Sequence, residues 1–138
     1  MIEVCPNRSA HVKFATIHET RSTNSPELFV DLYCDGSAER TLGAPGNDNI
    51  NNVTAKSFPP KSPEVEAVLS DVNAVGDVGS LAAGSCGKSV SFGTVTTIMV
   101  GAKTSVDLQC IADPTPTTKS LTSDCCVLAP TTNSTQCP

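Results

Sequence analysis

Two stretches near the start of the chain alternate apolar and polar positions. Residues 11–20 (HVKFATIHET) put Val12 and Phe14 on one face and run on to Ile17, and residues 27–34 (ELFVDLYC) set Leu28, Val30, Leu32 and Cys34 against Phe29, Asp31 and Tyr33. A period of two is that of a strand with one buried face. Asn24-Ser25-Pro26 between the runs is turn chemistry, so the pair reads as an antiparallel hairpin. The odd separation of His11 and His18 would place them on opposite faces of a regular strand. The period changes after Ser62-Pro63-Glu64, where a Ser cap, a first-position proline and first-turn acid announce a helix. Val65, Val68, Leu69 and Val72, with Val75 beyond them, form a stripe at helical spacing. Gly76 supplies a stop, so the helix is expected over about 63–75.

Elsewhere the pattern is weaker. Residues 43–63 are dense in Gly, Asn and Pro and read as a long surface loop. After the Gly-rich stretch 76–87, residues 89–100 (SVSFGTVTTIMV) are β-branched, Gly101-Ala102-Lys103 suits a hairpin turn, and residues 105–111 (SVDLQCI) carry Val106, Leu108 and Cys110 on one face. The Pro- and Thr-rich stretch that follows leads to Cys125-Cys126-Val127-Leu128, and the tail 130–138 has no core-forming pattern. No repeat or second domain is visible. The expectation is a single β-rich α+β domain over 1–138: a small antiparallel sheet or barrel, with one amphipathic helix facing Val12, Phe14, Leu28, Val30, Val106 and Leu108.

Composition narrows the partners. Nine basic residues against fourteen acidic ones give a net charge of −5, with no Lys or Arg run to follow a phosphate backbone, so nucleic acid is not an expected partner. The apolar stretches fall short of the roughly 20 residues a membrane span needs. Aromatic residues make up only 4% of the chain and Trp is absent, so the core must be built from Val, Leu, Ile and Ala.

The cysteines indicate the compartment. Cys5, Cys34, Cys86, Cys110, Cys125, Cys126 and Cys137 are spread from end to end, the usage of a disulfide-stapled secreted protein. Residues 1–5 lack the basic start and apolar run of a signal peptide, so the chain reads as a mature form preceded by an initiator Met. Three sequons, at Asn7, Asn52 and Asn133, are glycosylation candidates and agree with export. An odd count leaves one thiol over. The Cys125, Cys126, Cys137 cluster is its expected place, and an intermolecular bridge there would give a homodimer.

No catalytic, cofactor-binding or metal-binding residue is assigned. Residues 82–89 (AAGSCGKS) approach a phosphate-loop pattern, but a strand-like segment follows where a helix is required, so the stretch reads as a turn. His11 and His18 are the only histidines. No acidic motif near either marks a triad, and no C-x₂₋₄-C pair marks a metal site. Glu19, Asp31, Asp35, Glu39, Asp48, Asp107 and Asp113 are carboxylates for a glycosidase pair without any ranking among them.

Taken together, Cys5-Pro6 near the start, the acidic, aromatic-poor composition, the sequons, Cys125-Cys126 and the ending Cys137-Pro138 resemble small cysteine-rich secreted proteins of fungi. Among these the chain is similar to the hypersensitive-response-inducing elicitors of plant-pathogenic fungi such as the rice blast fungus. It departs from hydrophobins in having one Cys-Cys pair. It also lacks the aromatic-rich strands of the Alternaria-type barrel allergens, whose N-terminal hairpin it resembles. The likeness implies a non-catalytic effector of the apoplast, perceived through a plant cell-surface receptor or cell-wall component and displaying the loop 36–60 and the C-terminal tail. The alternatives are an extracellular protease inhibitor or cell-wall protein, with 57–63 as a rigid exposed loop, and then a secreted hydrolase.

Overall fold

The computed structural model describes residues 4–20, 27–42, 53–84 and 95–129. Six strands, β1 (Lys13–Glu19), β2 (Leu28–Tyr33), β3 (Ala38–Leu42), β4 (Val53–Phe58), β5 (Thr96–Val100) and β6 (Lys103–Thr104), form one antiparallel sheet in the order β4-β3-β2-β1-β5-β6. The sheet is open, so the barrel alternative falls. Helices α1 (Pro63–Val75) and α2 (Pro116–Leu128) pack on each other and share one hydrophobic cluster with a single face of the sheet. The architecture is therefore a two-layer α+β fold, with α1 carrying the chain from edge strand β4 back across to β5.

The expected hairpin forms β1 and β2, with Ile17 opposite Val30 and His18 opposite Phe29. Leu28, Val30 and Leu32 are buried on the core face, as their alternation requires. A bulge between Lys13 and Ala15 inserts one extra residue into β1 and reverses the alternation upstream of it. As a result His11 and His18 share the outer face, contrary to the expectation from their spacing, and Val12 is 57% exposed rather than in the core.

Helix α1 occupies the expected residues and buries Val65, Val68, Leu69 and Val72. Ser62 stands at its N-cap but makes no side-chain cap bond. Its hydroxyl instead donates to the Pro59 carbonyl at 2.6 Å. The turn between β2 and β3 docks on this entry: Lys61 N–H donates to Asp35 O at 2.9 Å and Ser62 N–H to Gly36 O at 3.1 Å. Gly36 has φ +87°, and a Cβ there would lie 2.5 Å from Lys61 N, so both conformation and space demand glycine.

Three further expectations need correction. Residues 53–58, placed in the long loop, form edge strand β4, so much of the stretch 36–60 is sheet. Residues 105–111 are not a strand: β6 lasts two residues, after which side chains take over the edge of β5. There Ile98 N–H donates to Ser105 Oγ at 3.0 Å and Thr96 N–H to Asp107 Oδ1 at 3.2 Å, while Ser105 and Leu108 return backbone bonds to Ile98 and Thr96. The third is a second helix, α2. Thr115 and Thr118 form a reciprocal capping box around Pro116 at the first helical position, and Thr118, Leu121, Cys125 and Leu128 are its buried stripe.

Arg40 joins α2 to the sheet. It lies on the core side of β3, where its Nε donates to the Leu128 carbonyl at 2.9 Å and its terminal nitrogen binds the same oxygen. Its guanidinium also stands 5.6 Å from the centre of the Phe58 ring. A cation on the last carbonyls of a helix favours the negative end of the dipole. Burial pulls the Arg40 pKa down, and the nearby Glu19 carboxylate, itself buried, opposes that pull. Arg40→Met should remove the bonds to Leu128 and leave Glu19 without this nearby positive charge. A loss of about 2–3 kcal/mol is expected, read from urea unfolding; an unchanged midpoint would show that α2 does not depend on Arg40.

Candidate functional site

Three places concentrate chemistry: the outer face of the sheet, the turn after β2, and the seam between the helices. On the outer face, His11 stacks on Tyr33 with ring centroids 3.9 Å apart, and His18 stacks on Phe29 at 4.4 Å. Phe29 and Tyr33 are four residues apart on β2, roughly 13 Å at strand rise. The histidines therefore occupy separate sites, and His18 Nε2 lies 3.2 Å from Glu27. Asp31 accepts from Thr16 Oγ1 at 2.8 Å and is opposite the exposed Glu39 in the β2–β3 register. Partial burial raises the Tyr33 pKa, and the charges of Asp31, Glu39 and Asp35 add to the shift. This end of the face is thus an aromatic stack among carboxylates.

The turn after β2 brings a serine, a histidine and an aspartate together in a non-catalytic arrangement. A hydrolase triad needs the carboxylate on one imidazole nitrogen and the hydroxyl on the other. Here Asp35 Oδ2 and Ser37 Oγ both face His11 Nδ1, at 3.0 and 3.3 Å, and the Ser37 hydroxyl donates to Asp35 Oδ1 at 2.5 Å. The Ser37 N–H bonds that same oxygen at 2.9 Å. The Ser37 hydroxyl bond is the main influence holding Asp35 below its ordinary range; burial opposes it, while the Ser37 N–H and His11 reinforce it. The hydroxyl proton is committed to Asp35, so the cluster fastens a turn and activates no nucleophile. Arg8 adds to the fastening through its bond to the Cys34 carbonyl at 2.9 Å and its ion pair with Glu66. The Cys5–Cys34 disulfide closes a loop with a sequence separation of 29, worth about 3–4 kcal/mol on the chain-entropy model.

Cys110 and Cys126 are also disulfide-bonded, and Cys125 is the free thiol among the described cysteines. Cys125 is fully buried. Burial, reinforced by Asp71 and Asp124, pushes its pKa far up, so it stays a thiol and is presented neither to a substrate nor to another chain. Above it lies a carboxylate pair that no pattern in the sequence marked. Ser120 Oγ is 2.8 Å from Asp71 Oδ1 and 3.3 Å from Asp124 Oδ2, joining α1 to α2. Asp71 is pushed up to about 7, first by burial and then by its hydrogen bond to Asp124; Ser120 pulls it down and the Asp124 charge raises it further.

Of the carboxylates weighed for a glycosidase, Glu19 is buried in the core layer, Asp107 accepts from the Thr96 and Gln109 N–H groups, and Asp113 is exposed at φ +48°. Asp48 lies outside the described residues, as do Cys86, Cys137, Asn52, Asn133 and most of the phosphate-loop-like stretch. Asn7 is exposed, with its side-chain oxygen accepting from Ser9 N–H. Among the described residues no three His, Cys, Asp or Glu side chains are placed to hold a metal ion, and no helix is long and apolar enough to cross a membrane. Comparison with known proteins finds no family model, no curated protein and no solved structure that matches this chain.

Two outcomes follow. Iodoacetamide should leave the native protein unlabelled and add one label under denaturing, non-reducing conditions; mass spectrometry showing a labelled native protein would contradict the burial of Cys125. Because folding raises the Asp71 pKa, the folded state binds more protons than the unfolded state between about pH 4 and 7. Stability should fall as pH rises through that window and level off above it. The drop is on the order of 1 kcal/mol after solvent screening, and Asp71→Asn should flatten it in urea titrations across pH.

Proposed function

We propose that the chain is a secreted fungal elicitor. In this reading it is a disulfide-stapled, non-catalytic protein of the apoplast, perceived by plant cells through a surface receptor or cell-wall component and inducing defence and hypersensitive cell death. The observation that carries the reading is the outer face of the sheet. Both helices are on the other side, and this face carries the half-buried rings of Tyr33 under His11 and Phe29 under His18, with the exposed Glu39, Asp35 and a Lys13–Asp31 pair at 3.8 Å beside the tyrosine. Partly exposed rings edged by charged groups suit contact with another surface, because aromatic anchors give contact area at low entropic cost. In this reading the recognition surface is the outer face of β1–β3, which takes in only the β3 part of the stretch 36–60. The wiring of Ser37 to Asp35 agrees with a function that needs no nucleophile.

The inhibitor alternative places the rigid segment 57–63 in a protease cleft. Pro59, Pro60 and Lys61 are exposed and Lys61 is held by its bond to Asp35 O, but Lys61 has φ +64°, whereas protease clefts receive extended peptide. Elicitor activity therefore remains the favoured reading.

Leaf infiltration tests it. The oxidised protein should produce local cell death before and after boiling and refolding, reduction with alkylation should abolish the response, and Tyr33→Ala should weaken it while the protein stays folded. Absence of any response to the folded protein across plant species would reject the reading.

A further inference from the structure

The chain between β6 and α2, together with the first turns of α2, lines a cavity of about 530 Å³ that is half open to solvent. That volume falls within the roughly 300–1,000 Å³ of small-molecule sites, which are mostly apolar with a few placed polar groups. Its apolar wall is Leu108, Cys110, Ile111, Pro114 and Pro116. The polar groups of the wall are largely committed elsewhere. Gln109 Nε2 donates to Thr96 Oγ1 at 3.1 Å, the Ser120 hydroxyl to Asp71 at 2.8 Å, and the Thr122 hydroxyl to the Leu108 carbonyl at 2.9 Å. Lys119 differs. It lines the cavity, is exposed to solvent, and makes no ion pair among the described residues. The positive end of α2 also opens here, since Pro116 and Lys119 belong to its first turns. Asp113, in the same stretch, is exposed and not part of the wall.

The geometry points to a binding site for a monomeric amphipathic anion, its apolar body against Leu108, Ile111, Pro114 and Pro116 and its acidic head on the Lys119 ammonium. Burying the body supplies the driving force, and the single cation sets the preference for a carboxylate or a similar head. The site is on the helix side of the molecule, away from the outer face of the sheet, so it stands whether or not plant cells perceive the protein.

Calorimetric titration of the oxidised protein with decanoate, and separately with decan-1-ol as the uncharged counterpart, tests the site. Saturable one-to-one binding of decanoate is expected. Lys119→Met should weaken it about tenfold and leave decan-1-ol binding unchanged, and Ile111→Trp should abolish both by filling the cavity. Pro114→Trp, at an exposed wall position, serves as the filling variant if the melting curve shows that Ile111→Trp does not fold. Absence of saturable decanoate binding, or binding indifferent to both the charge and the filling variants, overturns the proposal. So does sedimentation with phosphatidylcholine–phosphatidic acid vesicles by a protein that binds no monomeric decanoate, because the anion recognised would then be a bilayer surface.

Discussion

A guanidinium set between a sheet and a helix end is costly unless several groups receive it. Arg40 is such a group, and four elements converge on it: β3 carries it, α2 gives it the Leu128 carbonyl, β4 gives it the Phe58 ring, and β1 brings the charge of Glu19 nearby. Sheet and helices are thereby held in one register, because a slip of α2 would leave a charge and a carbonyl without each other. The apolar cluster of Val, Leu and Ile supplies the driving force around this point but little direction. In a chain so poor in aromatic residues, direction comes from the polar contacts and the disulfides.

The two faces of the sheet then divide the work. One is closed by α1 and α2; the other carries the half-buried aromatic stacks with carboxylates beside them. The bulge in β1 makes this division sharper than regular alternation would allow, since the extra residue turns His11 to the same side as His18. The turn after β2 fixes one end of that face: Asp35 binds Ser37 and His11, Gly36 fits against Lys61, and Cys5 is bonded to Cys34. Groups that look catalytic by residue type are there the parts of a rigid corner. The raised pKa of Asp71, beside Asp124 and Ser120, is likewise a property of the helix seam, where it shares its surroundings with the buried Cys125 thiol.

What could be read in the residues themselves was whatever depends on neighbours along the chain. Alternation over 28–33 and the stripe Val65, Val68, Leu69, Val72 specify one strand and one helix almost to the residue, because each periodicity is a local consequence of backbone geometry. Helix α2 left a weaker trace. Thr115-Pro116 is a fair start signal, but its body is rich in Thr, Ser and Cys, whose intrinsic helix preference is low, and packing against α1 supplies the rest. Strand β4 was hidden among glycines, asparagines and prolines since its pairing partner, β3, determines it more than its own composition.

The sequence by itself determined an acidic, single-thiol-in-excess chain with one strong hairpin and one strong helix. Only the tertiary structure decided that the histidines share a face, that Cys125 is a buried thiol, that Asp71 and Asp124 meet, that Arg40 closes α2, and that Lys119 lines an apolar cavity. Each of these depends on distance between residues remote in the chain and on the loss of water around them. Periodicity records which way a side chain points within its own element; it carries no record of which group stands opposite, and that group sets charge state, reactivity and fit.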